Sequence, residues 1–496
     1  MDIEKEYVCL EKNACVYSKH IDNDEDYQET VPAYCDELFK IVKCSAHSFV
    51  TNVDCSSSEV KIFCKTVINL TYYNENMELA YADFEEEFIK NISIDNLSEK
   101  AFATAHITDK YTNFRVINQK RIDIHIACDI FVKAYDRDSS PCLTSCSSSK
   151  LRLEKINSAD IVATANCKAE FDDEFPIPAD SKPIKRIVNC FAYPQLTETK
   201  IINDKMLVKT NLNISILYTA DDTNCECIRC CNTIEVSKII DAVGIQEGDI
   251  PIVTLDLCNV YFKPKCAGDD RLTVVEIYGD LAMSCVFVRE AQETIVTDGY
   301  VLNRECTCKY SDYRCVKNGK FLTDTVMKNI SFDFGTAINC IKDFSISLSA
   351  PCVRNEKIAF KATACALCCD SDNVINSLNN SVDIEFSIDG YDDALASVWI
   401  NSVDYSIVND TRIDVRLSLS YTAYCFSKQV VKVLNEIEAS DECINFPALT
   451  VYFGKKSESV WSIAKSFSSD IDMIMKENNL ENEILDTNKV LIIPGI

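Results

Sequence analysis

The chain reads as mainly β: three tandem antiparallel β-sandwich-like domains, followed by a small α+β module of strand, helix, helix, strand. Three observations predict this. Short runs of alternating apolar and polar residues recur between clusters of Asn, Asp, Ser and Gly, the pattern of half-buried strands. The same pair of runs appears three times along the chain. No long amphipathic helix period is found before residue 455, whereas two short ones follow it.

The repeats are most legible at two places. Near the end of each copy an Arg opens an alternating strand: Arg121 to Ile126, Arg271 to Val275, and Arg412 to Leu417. Each runs on into a second alternating stretch, 127–135, 279–288 and 418–426. An earlier strand is shared by residues 65–73, 209–218 and 361–369, and Leu212, Ile214, Ile216 and Tyr218 alternate cleanly in the second copy. The arginines recur at intervals of roughly 140–150 residues, too long for a solenoid and suited to tandem globular domains. The expected domains are residues 1–140, 150–295 and 300–430, with a terminal module at 446–496. Lead-in strands precede them, as at Leu38–Cys44 and Ile184–Cys190. Two acidic segments, Asp22–Asp26 and Glu170–Glu174, read as exposed connecting edges.

In the terminal module, Val451, Tyr452 and Phe453 predict a strand closed by Gly454. Ser457 is placed to cap a helix whose apolar face is Val460, Ile463, Ala464 and Phe467, at i, i+3, i+4 and i+7. Ser469 and Asp472 open a second helix with Ile471, Ile474 and Met475 on one side. Asn478 and Asn479 end it, and Val490–Ile493 is a closing strand before Pro494. A module this small needs its helix faces for its own core, so any binding surface must come from its loops.

Composition bounds the function. The chain carries 50 basic and 77 acidic residues, a net charge of −27. That argues against binding nucleic acid or an anionic membrane surface, both of which need a basic face. No apolar run approaches the roughly 18 residues of a membrane helix. The charged start of the chain has no apolar core of a secretory signal. The 28 cysteines sit mostly inside apolar, strand-like runs, as at Cys64, Cys128, Cys285, Cys365 and Cys425, and read as reduced small hydrophobes.

Chemistry is sparse. All four histidines, His20, His47, His106 and His125, belong to the first copy, which rules out a repeated histidine site. His125 reads as a partly exposed strand residue. Cys225, Cys227, Cys230 and Cys231 form the densest thiol cluster, echoed by Cys365, Cys368 and Cys369. Thiolates at such spacing suit zinc or copper, but no second pair completes a zinc-finger spacing, and a reduced hairpin is the simpler reading. Cys306, Cys308 and Cys315 fall in what reads as a linker after the second copy, where they are free to cross-link. The pairs Asp221-Asp222 and Asp269-Asp270 read as turns. No phosphate loop, nucleophile elbow or metalloprotease motif is found. The expectation is a non-enzyme with no catalytic residues, no metal and no cofactor.

Two stretches resemble known families. The terminal module is similar to a LysM module in Gly454, in Trp461-Ser462-Ile463-Ala464, in Asn478-Asn479-Leu480 and in Leu491-Ile492-Ile493-Pro494. That resemblance implies a shallow groove between the loops 454–458 and 478–484 that binds N-acetylglucosamine polymers such as peptidoglycan. Lys455 and Lys456 replace the acidic and hydroxyl residues common in that family. The implied partner- or glycan-binding set is Gly454, Lys455, Lys456, Ser457, Trp461, Asn478, Asn479, Leu480 and Ile484. The second copy, Pro183 to Arg289, resembles the SPOCS domain of spore-coat-associated proteins, through its lead-in strand, the strand 211–218, the turn at Gly244–Gly248 and the strand from Arg271. Together the two resemble clostridial spore-coat morphogenetic proteins of the SPOCS–LysM type. That family implies a scaffold in the mother-cell cytoplasm at the forespore surface. It would contact other coat proteins and bind the coat-basement ATPase through its LysM. The alternative is a peptidoglycan binder anchored to cortex or wall glycan.

Overall fold

The computed structural model describes residues 4–222, 226–268, 270–369, 374–444 and 447–495. The chain is mainly β, with several antiparallel sheets.

The first unit shows the plan. It begins with a long strand, β1 (Lys5–Thr30), and passes into a meander of β2 (Lys40–Cys55), β3 (Glu59–Tyr73) and β4 (Leu79–Ser93). It returns as the hairpin β5 (Phe102–Asn118) and β6 (Arg121–Cys146). The meander forms one sheet, β2-β3-β4. The other sheet has the order β1-β6-β5, so the last strand is central and the first strand is an edge. The two sheets face each other. Ile68, Leu70 and Tyr72 of β3 meet Ile122, Ile124 and Ile126 of β6 at one end. Val60, Ile62 and Cys64 meet Cys128, Ile130 and Val132 at the other. Period-two alternation in β3 and β6 puts every second side chain into this core, as a two-sheet packing requires.

The second unit repeats the plan with β7 (Ser149–Pro176), β8 (Ile184–Ile202), β9 (Lys205–Ala220), β10 (Cys227–Asp241), β11 (Ile250–Cys266) and β12 (Leu272–Val301). Its sheets are β10-β9-β8 and β11-β12-β7. The third uses β13 (Arg304–Asp333), β14 (Cys340–Leu348), β15 (Cys352–Arg354), β16 (Lys357–Cys369), β17 (Ile375–Ser387), β18 (Asp393–Asn409) and β19 (Arg412–Cys443). Here β14 and β15 share the edge of β16, and β19 lies between β13 and β18. The shared sequence runs thus occupy equivalent places: β3, β9 and β16 at the centre of one sheet, β6, β12 and β19 at the centre of the other.

Three readings change. The acidic segments Asp22–Asp26 and Glu170–Glu174 are not connections; they lie inside β1 and β7. Both are edge strands, where solvated carboxylates hinder pairing with another chain. Cys306, Cys308 and Cys315 lie in β13, not in a linker. Cys225 and Asp269 fall outside the described residues, while Cys227, Cys230 and Cys231 lie in β10 rather than a loop.

Two of the places where the units meet are built from equivalent parts of all three. The outer halves of the pairs β1/β6, β7/β12 and β13/β19 run beyond the sandwiches and pack together as a stem. Leu10, Leu143, Ile156, Ile295, Tyr313, Val433 and Ile437 are buried there in one cluster. The second place is at the bulges that interrupt β2, β8 and β14, at Ile41/Lys43, Ile187/Asn189 and Ile341/Asp343. A bulge re-aims a side chain. The three residues so placed, Lys43, Asn189 and Asp343, form a chain: Lys43 Nζ donates to Asn189 Oδ1 at 3.4 Å, and Asn189 Nδ2 to Asp343 Oδ2 at 2.6 Å. Arg229 adds an ion pair to Asp343 at 3.3 Å. Asp343 is 2% exposed, so removing it leaves the buried Asn189 amide without its acceptor and takes one partner from the Arg229 guanidinium. Asp343→Ala is expected to cost about 3 kcal/mol, measured as a lowered denaturation midpoint with an unchanged slope.

Candidate functional site

The terminal module consists of β20 (Leu449–Gly454), α1 (Val460–Ser466), α2 (Ile471–Glu477) and β21 (Lys489–Pro494), with the two strands antiparallel. Its helix signals shift by a residue or two. Ser459, not Ser457, stands at the start of α1, and Ser457 takes a left-handed conformation, φ 71°. Asp470, not Ser469, caps α2, accepting from the N–H groups of Asp472 and Met473. Ser469 turns inward and donates to the Pro494 carbonyl at 2.6 Å.

One side of the module is docked on the stem. Tyr300, near the end of β12, is buried in the module's own apolar cluster with Trp461, Ile463, Ile471, Ile474 and Leu491. Its ring meets Trp461 edge-on at 5.2 Å, and its hydroxyl donates to the Ser469 carbonyl at 2.8 Å. Two residues earlier, Asp298 collects the junction. It accepts from Trp461 Nε1 at 2.8 Å, Lys465 Nζ at 2.5 Å, the Tyr310 hydroxyl at 2.8 Å and the Gly299 N–H at 2.8 Å. Burial pushes this carboxyl up, but the bonds from Lys465, Trp461 and Tyr310 outweigh it and hold it below its usual range. Lys150 of β7 pairs with Asp470 and Asp472, and the Arg152 guanidinium lies 5.8 Å from the Trp461 ring centre.

The pH dependence follows from the sign of that shift. A carboxyl whose folded pKa is depressed stabilises above its unfolded value, and the benefit is lost as pH falls through the folded one. Docking is therefore expected to hold through neutral pH and loosen only below about pH 4. Trp461 fluorescence in a Trp399→Phe background reads this directly. Asp298→Asn should flatten the acid transition.

The expected binding set divides three ways. Trp461 is buried at the stem junction, and its N–H is bonded to Asp298. Gly454 and Asn478 support the fold. A Cβ at Gly454 would come within 2.5 Å of Leu485 Cδ1. Asn478 donates to the Ile474 and Ile492 carbonyls and accepts from the Ile492 N–H, tying α2 to β21. Leu480 is half-buried against the module core. Lys455, Lys456, Ser457, Asn479 and Ile484 are exposed. The first loop lies directly on the segment before β21: Ser457 N donates to Leu485 O at 2.7 Å, Leu485 N to Glu458 O at 2.9 Å, and Lys456 N to Asn488 Oδ1 at 2.8 Å.

The most distinctive surface was not among the expected residues. The sheet's inner side carries Tyr452, Leu491 and Ile493. Its outer side carries Leu449, Val451, Phe453, Val490 and Ile492, all exposed, with Phe453 75% exposed. Val451 faces Ile492 and Phe453 faces Val490 across the strands, so this is one contiguous apolar face. Lys455 and Lys456 follow directly at its Phe453 end. The sequence held a signal. Both strands are apolar on both sides, yet a two-stranded sheet in so small a module buries only one side.

Other groupings resemble sites less. His20, Asp22 and Asp129 lie together, but Lys110 is already bound to both carboxylates. His125 is a strand residue whose Nδ1 lies 2.8 Å from Asp26. A cleft of about 400 Å³ separates the outer face of β8–β10 from β14 and β18, lined by Phe191, Tyr193, Asn213, Arg229 and Phe344. Arg229 there is engaged by Ser215 and Asp343.

Residues 183–265 match the family model described as SipL, SPOCS domain. The matched stretch holds β8, β9, β10 and nearly all of β11. No curated protein and no solved structure matches the chain.

Proposed function

We propose that this chain is a non-enzymatic scaffold for spore-coat assembly. Three SPOCS-like units, residues 1–140, 150–295 and 300–430, give it reach, and a LysM-like module at 446–496 tethers the coat to the forespore surface. The SPOCS match supports a sporulation-related role. In this reading the chain works in the mother-cell cytoplasm at that surface; no helix among the described residues is long and apolar enough to cross a membrane.

The observation that carries the tether is the exposed apolar face of β20 and β21. The module's opposite side is covered by the stem, and a contiguous apolar face on a folded protein marks an interaction surface. Its partner in this reading is the coat-basement ATPase. Lys455 and Lys456, a basic pair on a chain of net charge −27, favour a partner whose contact surface is acidic. A glycan ligand would instead use the loops at Lys455–Glu458 and Asn478–Ile484.

The test uses the whole chain, because an isolated module would expose Trp461. Immobilised full-length protein is presented with the purified ATPase and, separately, incubated with sedimenting peptidoglycan. Capture of the ATPase alone is the expected result. Co-sedimentation with glycan and no ATPase capture would replace the tether with wall anchoring.

A further inference from the structure

Among the described residues, one pair of cysteines stands directly opposed across a strand pairing. Cys340 opens β14 and faces Cys369 at the end of β16. Their thiols are hydrogen-bonded to each other. Opposed residues of antiparallel strands have Cα atoms about 4.5–5.5 Å apart, inside the window of about 4.4–6.8 Å that a disulfide spans. The register therefore brings the two thiols within the Cα range of a disulfide.

The other hydrogen-bonded thiols fail this test. Cys306 and Cys308 also touch, and the bond from Cys308 pulls Cys306 down to about 6. They sit two residues apart on one strand, however. Two steps of about 3.3 Å set their Cβ atoms about 6.6 Å apart, well beyond the roughly 3.5–4.5 Å of a disulfide. Cys306 and Cys308 therefore cannot close on each other.

The position of the opposed pair gives it consequence. Cys369 is buried where the three units meet, with Tyr73 and Leu79 of the first and Val188 and Leu217 of the second. The equivalent opposed positions are Lys40 and Tyr73 in the first unit, and Arg186 and Thr219 in the second. Only the third unit places two thiols there. The strand they hold, β14, is an edge strand and carries Asp343, the buried acceptor of the inter-unit chain.

We propose that Cys340 and Cys369 form a redox-active dithiol that closes to an intrachain disulfide on meeting a low-molecular-weight disulfide, clamping β14 at the junction of the units. Half-buried Cys340, as thiolate, attacks one sulfur of oxidised glutathione and releases a glutathione thiolate. Cys369 loses its proton and attacks the Cys340 sulfur of the mixed disulfide, releasing the second glutathione. Two protein thiols and one oxidised glutathione give one protein disulfide and two reduced glutathiones. Burial first, and the bond to Cys340 second, push the Cys369 thiol up to about 11, which suits the second, intramolecular step better than the first. The clamp opposes fraying of an edge strand, and does so whatever the terminal module binds.

The test is peptide mapping of the full chain, reduced, treated with oxidised glutathione at pH 8, alkylated and digested without reductant. The expected result is a cross-linked Cys340–Cys369 product in most chains, with a melting temperature above that of the reduced protein. Cys340→Ser should abolish both the cross-link and the oxidation-dependent melting shift. Cys306→Ser should leave both intact. Cys340 still fully alkylated after exhaustive oxidation, or joined to Cys227 of the second unit instead, would overturn the proposal.

Discussion

Trp461→Ala is expected to release the terminal module from the stem and open it, while the three β units stay folded. Truncating a buried Trp costs about 3–5 kcal/mol. Here the loss falls on a cluster that cannot absorb it. The module spans fewer than fifty described residues, and Tyr300 from the stem is part of its core. A module of that size has a small core, so one large buried side chain is a large share of what holds it. The substitution also removes the indole N–H from Asp298, leaving a half-buried carboxylate with one donor fewer. Amide exchange should therefore collapse across residues 449–494 and stay slow in β3, β9 and β16. Trp461→Phe keeps the edge contact with Tyr300 and loses only the hydrogen bond, so it should cost about 1–2 kcal/mol. Unchanged protection of β20 and β21 in Trp461→Ala would show that the stem junction does not hold the module together.

The sequence made the strands legible where two conditions coincided: one face buried in a sandwich, and the same pattern present three times. Leu212, Ile214, Ile216 and Tyr218 of β9 alternate because only one side of that strand meets β12. The stem was not legible, for the opposite reason. In the outer halves of β1, β7 and β13 the buried residues meet other units, so Leu10, Ile156 and Tyr313 follow no single period. The pairing of β1 with β6 joins residues far apart in the chain, from Thr30 with Arg121 to Lys5 with Cys146, which no local pattern records. In the candidate site the two loops could be placed from the sequence, but Asp298 could not. In Thr297-Asp298-Gly299 an aspartate before glycine reads as a turn, and only the folded junction shows its four donors. The exposed apolar face was missed because any binding surface was expected to come from the loops alone. Which side of β20 is covered depends on where the stem stops.

That same asymmetry makes Phe453→Asp the sharper test of function. Phe453 is 75% exposed and lies on the side of the sheet away from the module core, so its replacement should leave the melting curve within about 0.5 kcal/mol of the parent. If the face carries the tether, Phe453 is its largest exposed apolar side chain, and a central aromatic anchor loses at least about 2 kcal/mol when truncated. A carboxylate adds desolvation to that loss, and repulsion if the partner surface is acidic. ATPase capture should fall at least about 30-fold, since 1.4 kcal/mol corresponds to tenfold. Val451→Asp, on the same face, should behave alike. Lys455→Glu should act mainly on the rate of association and weaken as salt rises, because a rim charge steers rather than anchors. Leu480→Ala separates the face from the groove, since Leu480 packs inward beside the second loop. Loss of capture in Leu480→Ala with Phe453→Asp still competent would move the site back to the loops. The reverse pattern assigns it to the sheet face, and the stem then has a clear role. By covering the helical side of the module, it leaves this face as the apolar surface the module has to offer.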